Sequence, residues 1–345
     1  MRQRTSTKPC PCCCHSEGGH AVLNVEVARP QIAAYLSAKL SSDDGVEVGP
    51  LERITIGHSR GMFRINASYN HKGTTIQKSF ALRVEQAGMF GTNTLDEVRT
   101  MRAMRAAKFP VAHIRWVEFD PVVIGTPFFM MDWVEGSSGP PNDAALRDYV
   151  IKLHQLHEMN WRRKEIPFPR IPSIPLDGVH QQVDRWMEVH RWGRVLPEPL
   201  LEEAATWLKR NAPENLQLTL VHGDPGPLNF IHKGDEVQAF TDWEFSHIGD
   251  PNEDWLFLGG MRGRGVMEPQ AWREYIAETT SHVISKETWA YWDVFNHFKG
   301  ACANTSALRI FITGANPAPN MAAIGTALKL SMVQHLSAII GKSNN

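Results

Sequence analysis

Between Leu220 and Pro251 the chain reads LVHGDPGPLNFIHKGDEVQAFTDWEFSHIGDP. Asp224 and Asn229 stand five residues apart, a separation that a short turn can convert into one shared cleft. Asp242 ends a mostly apolar run, so its carboxylate is expected where a strand stops. Two carboxylates and an amide in this order meet the needs of phosphoryl transfer. One carboxylate orients the attacking hydroxyl, while the amide and the other carboxylate hold magnesium on the phosphates. Each residue also has a plainer reading. Asp224 can cap the turn beside Pro225 and Gly226, Asn229 can satisfy a loop carbonyl, and Asp242 can mark a polar strand edge. Their occurrence in register favours the chemical reading.

The flanking residues suit supporting roles. His222 is placed to hydrogen-bond the loop backbone rather than to donate a proton. Glu244 is either a second acidic contact near the metal or a brace for the loop. Asp250 and Asp254, in GDPNEDW, are expected to cap the next helix or anchor the loop. Arg262 and Arg264, in GGMRGRG, either receive an anionic substrate or lie in a solvated loop.

Two half-molecules are expected around this segment. The helix ARPQIAAYLSAKL, with Pro30 near its first turn, is followed by a break from Gly45 to Pro50. Leu51 to Val84 reads as three antiparallel strands with turns at His58–Arg60 and Asn70–Gly73. A helix from about Thr94 to Ala107 precedes strands around HIRWVEF and GTPFFMMDWV. Within the first hairpin, Gly57 and Gly61 flank a polar turn whose backbone N–H groups and Ser59 hydroxyl could cover phosphates. Glu135 to Asn142 is rich in Gly, Ser and Pro and marks a boundary.

Beyond Asp143 helical periodicity dominates, with Leu146, Val150, Leu153 and Leu156 on one stripe. Further helices are expected in GVHQQVDRWMEVHRWG and LEEAATWLKRN, over Trp272–Ser285 and Tyr291–Thr305, and from Ala323 to Ile339. His154 and His157, on the helix that carries this stripe, read as core or cleft-edge residues rather than metal ligands. The expected division is a tail over 1–22, a sheet-rich lobe over 23–134 and a helical lobe over 135–345, an α+β arrangement.

Composition narrows the partners. The 345 residues are 42% hydrophobic with a formal net charge of -1, which gives no reason for a nucleic-acid or anionic-membrane partner. No run of eighteen apolar residues suggests a bilayer span. The basic MRQR start lacks an apolar region after it, so a secretory signal is not expected and a cytoplasmic location is the default. Cys10, Cys12, Cys13 and Cys14 crowd beside His15, and only Cys302 lies in the body. Consecutive cysteines converge poorly on a tetrahedral metal, so a disordered, oxidation-prone tail is the favoured reading over a zinc site.

Together these motifs resemble the aminoglycoside phosphotransferase/choline kinase superfamily, small-molecule kinases of protein-kinase-like fold. The branch they look most like includes the kinase-like domains of acyl-CoA dehydrogenase family proteins. HGDPGPLNF resembles the catalytic loop, and FTDWEFSHIGDPNEDWLFL the metal-binding strand with its GDP-x-x-D element. ERITIGHSRGMFRI, ALRV, LDEVRTMRAM and VIGTPFFMMDWVEG fall where that branch has its phosphate loop, basic strand residue, helical glutamate and hinge.

The resemblance implies a small antiparallel-sheet N-lobe and a larger, mainly helical C-lobe, with ATP and magnesium as cofactors. It assigns Asp224 as base, Asn229 and Asp242 as metal ligands, and Met130 and Met131 to the hinge that meets the nucleotide base. Arg83 stands where lysine is usual, and arginine can fork two phosphate oxygens. Lys78 falls on the opposite face of that strand. Glu97 is the expected partner of Arg83, though Thr94-x-x-Glu97 is also a capping box.

The expected activity is transfer to a hydroxyl of a small molecule by a monomer or homodimer. A non-catalytic nucleotide-binding pseudokinase would need a broken site, and only the Arg83 exchange favours it. An aminoglycoside- or macrolide-type antibiotic kinase is disfavoured by the lack of an acidic run in the C-terminal half. A protein kinase is disfavoured because six residues separate Asp242 from the GDP turn, too few for a peptide platform.

Overall fold

The computed structural model describes residues 23–54, 61–85, 94–164, 168 and 170–343. Helix α1 (Val25–Lys39) opens them, capped by Asn24, whose Oδ1 accepts from the N–H groups of Glu26 and Val27. The helix thus begins earlier than the run ARPQIAAYLSAKL suggests, and Pro30 lies inside it rather than in its first turn. Ala28, Ile32 and Leu36 repeat at helical spacing and bury one face against the sheet.

That sheet contains β1 (Val46–Val48), β2 (Glu52–Arg53), β3 (Gly61–His71), β4 (Thr74–Val84), β5 (Ile114–Glu118) and β6 (Phe128–Asp132). Its order is β1-β3-β4-β6-β5, with β2 also pairing β3, and every pairing is antiparallel. Strand β1 occupies the stretch read from sequence as a break. It is too short for period-2 patterning to stand out, and glycine or proline bounds it on both sides. The β3–β4 hairpin turns through Lys72 and Gly73, both at positive φ (50° and 73°), the backbone a two-residue primed turn requires. Phe63, Ile65, Phe80, Leu82, Phe128 and Met130 form the core under α1. Helix α2 (Thr94–Ala106) packs near the opposite face through Val98, Met101 and Met104.

After residues 133–142 the chain becomes mainly helical. Helix α3 (Asp143–His157) buries the expected stripe of Leu146, Val150, Leu153 and Leu156. Helices α4 (Pro175–Gly193) and α5 (Pro199–Arg210) follow. Two small antiparallel pairs then form: β7 (Thr219–Val221) with β10 (His247–Gly249), and β8 (Phe230–Lys233) with β9 (Glu236–Phe240). The remainder is α6 (Pro251–Leu256), a π-helical turn (Phe257–Arg262), α7 (Pro269–Thr280), α8 (Lys286–Ile312), α9 (Pro319–Ala323), a second π-helical turn (Ile324–Leu328) and α10 (Lys329–Ser343). Helix α8 is buried on nearly all sides, as befits the centre of a lobe.

The arrangement is a small antiparallel N-lobe joined to a larger helical C-lobe. The lobes also touch through the segment after α2. Val111 bridges Phe240, and the Phe109 ring packs on Phe240 and Trp243. The tail with Cys10, Cys12, Cys13, Cys14 and His15 lies outside the described residues, whereas Cys302 is buried. The expectation of no membrane-crossing helix needs one amendment. Pro319–Ile340 is long and apolar enough by length and composition, although Leu336 and Ile340 within it are buried in the main core.

Candidate active site

The loop from His222 to Phe230 leaves strand β7 and is fastened from several sides. His222 is fully buried, and burial pushes its imidazole pKa down, so the ring is neutral. One tautomer serves both its contacts: Nε2–H donates to the Thr241 carbonyl (2.9 Å), and Nδ1 accepts from the Asp224 N–H (3.3 Å). The backbone N–H groups of His222 and Gly223 donate to the two oxygens of Asp254, each at 2.8 Å. His157 reaches the same carboxylate at 2.9 Å. Asp250 caps α6 through the Asn252 N–H and also accepts from the Gln217 N–H at 2.8 Å. Both proposed roles for the acidic pair are therefore filled, one by each residue.

Two further anchors carry no sequence motif. The Tyr149 hydroxyl accepts from the Gly226 N–H at 2.8 Å, its ring stacked on Phe230 and Phe240. Lys299 on α8 donates to the Gly223 carbonyl and to Glu253 Oε1 (2.8 Å). Gly223 itself has φ +85°, and a Cβ there would lie 2.5 Å from the Phe245 carbonyl oxygen. Only glycine fits.

This framework aims three side chains into one cleft. Asn229 Nδ2 donates to the Asp224 backbone oxygen (2.7 Å) and to Asp224 Oδ2 (2.9 Å). The Asn229 carbonyl accepts from the Thr241 N–H at 3.0 Å, holding the loop against the chain just before Asp242. Asp242 adopts a left-handed backbone (φ 59°, ψ 57°), which turns it off the strand line. Its Oδ1 lies 2.8 Å from Arg83 Nη1, and 38% of its side chain remains exposed. Burial pushes this carboxylate's pKa up, but the Arg83 charge and hydrogen bond outweigh it and hold the group below the usual range.

Arg83 links the lobes. Its Nε donates to Glu97 Oε2 at 3.0 Å, so the ion pair expected from α2 is made. The Thr94 hydroxyl donates to Glu85. Burial alone would lower the Arg83 pKa; Glu97, Asp242 and Glu244 raise it above its ordinary value. Glu244 Oε2 is buried 3.9 Å from Arg83 Nη2, close to the cation rather than out at the rim. Arg83 Nη2 is buried and makes no hydrogen bond. A donor in that state fits a missing anionic oxygen.

Asp224 carries an unforeseen partner. Arg262 forks Asp224 through Nε to Oδ1 (3.0 Å) and Nη2 to Oδ2 (2.8 Å). Burial raises the Asp224 pKa to about 6, even though Arg262 pulls it down. The glycine-rich segment is buried at Gly259 and Gly260 and solvent-exposed at Arg262, Arg264 and Gly265. Phe257–Arg262 is a largely buried π-helical turn, and Arg264 donates to the Gly260 carbonyl. A turn of this kind often marks a functional position. Gly226 (φ +154°) leaves room for it, since a Cβ there would meet Arg262 Cβ at 2.4 Å.

Two N-lobe segments complete the picture. Met130 and Met131 are buried in β6, paired with Leu82 and Ala81 on one side and with β5 on the other, just before the strand ends at Asp132. Gly57 and Ser59 lie outside the described residues, and Gly61 is the first residue of β3. Lys78 sits across the strand from Arg83 and pairs with Asp132 at 3.3 Å, away from the cleft.

The family model of the phosphotransferase enzyme family matches residues 64–288, well over half of the chain. The chain belongs to the phosphotransferase enzyme family. Mouse acyl-CoA dehydrogenase family member 10 is 26% identical over 242 residues, covering 66% of this chain and 22% of that protein. The chain thus spans roughly a quarter or less of the length of such curated relatives. A putative aminoglycoside phosphotransferase from Ralstonia eutropha superposes with a TM-score of 0.63 at 18% identity, covering 91% of this chain and 98% of that one. An aminoglycoside phosphotransferase solved in ternary complex with AMP-PNP and hygromycin B gives 0.59 at 15% identity, with 88% and 98% covered. At such identities the structures establish the fold alone: a small antiparallel-sheet lobe and a larger helical lobe.

Proposed function

We propose that this protein transfers the γ-phosphate of ATP to a hydroxyl group of a small molecule. The observation that carries this is that Asn229 bonds Asp224, Arg83 of the N-lobe pairs with Asp242, and the Asp242 charge acts on Asp224. Asp224 accepts a hydrogen bond from the acceptor hydroxyl and takes its proton as the phosphoryl group departs from ADP. To do so it must give up at least one of its bonds to Arg262, which then stands beside the acceptor.

Asn229 Oδ1 and Asp242 Oδ2 are the atoms free to hold magnesium, with Glu244 as an acidic neighbour. The ion, when bound, neutralises charge on the β- and γ-phosphates. Arg83 Nη2 is the donor left for a phosphate oxygen, and Glu97 holds its guanidinium in place. Gly57, Ser59 and Gly61 would cover the phosphates from above. The base of the nucleotide would meet the end of β6, at Met130 and Met131.

Six residues between Asp242 and Gly249 leave space for a small acceptor. Arg262 and Arg264 favour one bearing negative charge, such as a hydroxylated acid, over a polycationic antibiotic. We place the functional division at 23–134 and 135–345 and the protein in the cytoplasm, as a monomer or homodimer. The test is a hydroxyl-acceptor library incubated with the purified protein, ATP and magnesium and read by mass spectrometry. A phosphate mass gain on one acceptor, lost in Asp224→Asn, supports the reading. No phosphorylated product from a broad library, despite tight ATP binding, would favour a nucleotide-binding module instead.

A further inference from the structure

Asp293, His297 and His335 form a second constellation, built by α8 and α10. Asp293 and His297 are one helical turn apart and share a face of α8. His335 reaches them from α10, its Nε2 2.6 Å from Asp293 Oδ2. His297 Nδ1 lies 3.3 Å from Asp293 Oδ1. One ligand atom from each residue can be chosen so that all three lie within 4.8 Å of one another. The imidazoles stack with centroids 3.7 Å apart.

The local chemistry prepares these groups to bind a cation. His297 Nδ1 lies 2.8 Å from the Asp293 backbone oxygen, a contact that makes this nitrogen the N–H and leaves Nε2 with its lone pair. The side chains of Asp293 and His297 are 17% and 8% exposed, whereas His335 is 34% exposed, so the cluster is walled on the α8 side and open at its rim. Two imidazoles and one carboxylate suit zinc-class transition ions; calcium and magnesium prefer oxygen alone.

The position also gives such a site a purpose. Only 22% of the apolar window in Pro319–Ile340 is buried. A metal bridging Asp293, His297 and His335 would staple it to the central helix. Gly260 lies over Asp293, at a distance where a Cβ would come 3.7 Å from Oδ1, and Gly260 precedes Arg262 by two residues. The staple would therefore stiffen the floor beneath the turn that brings Arg262 to Asp224.

We propose that Asp293, His297 and His335 bind a divalent transition metal of the zinc class, joining α10 to α8. This does not depend on the reaction proposed above. The test uses the full chain, stripped with chelator, in which Cys10, Cys12, Cys13 and Cys14 are replaced by Ser to remove the thiolates of the tail. Calorimetric titration with zinc should show one saturable equivalent, and His335→Ala and His297→Ala should each weaken it at least about tenfold. Cobalt should give visible d–d absorption without a thiolate charge-transfer band. Zinc should raise the melting temperature of this parent but not of His335→Ala. His335 is partly exposed, so that variant decides the matter if Asp293→Asn does not fold. Absence of a saturable equivalent, or equal affinity in parent and His335→Ala, overturns the proposal and leaves a hydrogen-bonded imidazole–carboxylate cluster.

Discussion

Arg262 grips Asp224 with three hydrogen bonds, Nη2 lying 2.8 Å from Oδ2 and 3.0 Å from Oδ1, and Nε 3.0 Å from Oδ1. Burial raises the carboxylate to a pKa of about 6 against the downward pull of Arg262. Turnover should therefore fall on the acid side with a midpoint near that value, as the base becomes protonated. Removing the pull in Arg262→Ala should move the acid limb to higher pH, and Arg262→Lys should bring part of it back. A pH–rate profile of the three proteins makes the comparison. An acid limb unmoved by Arg262→Ala would show that Asp224 is not the group being titrated.

Asp224→Asn should keep nucleotide binding and lose about 10²–10⁴-fold in turnover, the scale of a positioned general base. The same exchange should not cost stability at neutral pH. A folded-state pKa above the ordinary 3.8 means that the fold favours the protonated carboxyl. That contribution is full below the unfolded value and lost as pH rises through about 6. The amide does not ionise, so the variant should melt at or above the parent at pH 7, the gap closing towards pH 4. Melting curves at the two pH values test the sign; a markedly lower melting temperature at pH 7 would contradict it.

Arg83 and Glu97 should show coupled behaviour. Arg83→Ala breaks the buried ion pair with Glu97, whose side chain is 2% exposed. Breaking a buried pair by removing one partner typically costs about 3–5 kcal/mol. Nucleotide affinity should fall as well, while Arg83→Lys retains the charge but not the fork. Lys78→Ala, on the far side of the strand, should leave both properties near the parent's. Calorimetry with ATP and magnesium, alongside denaturant melts, separates the two effects. Normal ATP binding by Arg83→Ala would remove it from the phosphate site.

Lys299 should govern acid stability. Burial pushes the Glu253 carboxyl up, but Lys299 and His247 pull it down to about 2. Such a group stabilises the fold above its ordinary pKa and loses that contribution as pH falls through about 2. Lys299→Met should destabilise the protein at pH 7 by about 3–5 kcal/mol, since Glu253 is left buried with a weaker partner. It should also flatten the loss of stability between pH 5 and 2. Chemical denaturation across that range is the measurement, and an unchanged acid slope would argue against the pair.

The sequence by itself determined the pieces whose causes are local. The spacing of Asp224 and Asn229, the strand end at Asp242, the stripe on α3 and the Lys72–Gly73 turn region all follow from neighbouring residues and backbone preferences. The pairing of Arg83 with Glu97 was legible only through resemblance, because its partners lie on different elements. Strand β1 escaped notice because three residues are too few to show a period, and the pairing of Met130 and Met131 became visible only with strands on both sides. Arg262 stands 38 residues from Asp224, and Lys299 stands 76 from Gly223. No propensity or spacing reaches that far. Whether those cations meet the catalytic loop was decided by how α8 and the π-helical turn pack against it, since burial there makes an unpaired charge costly and a paired one specific.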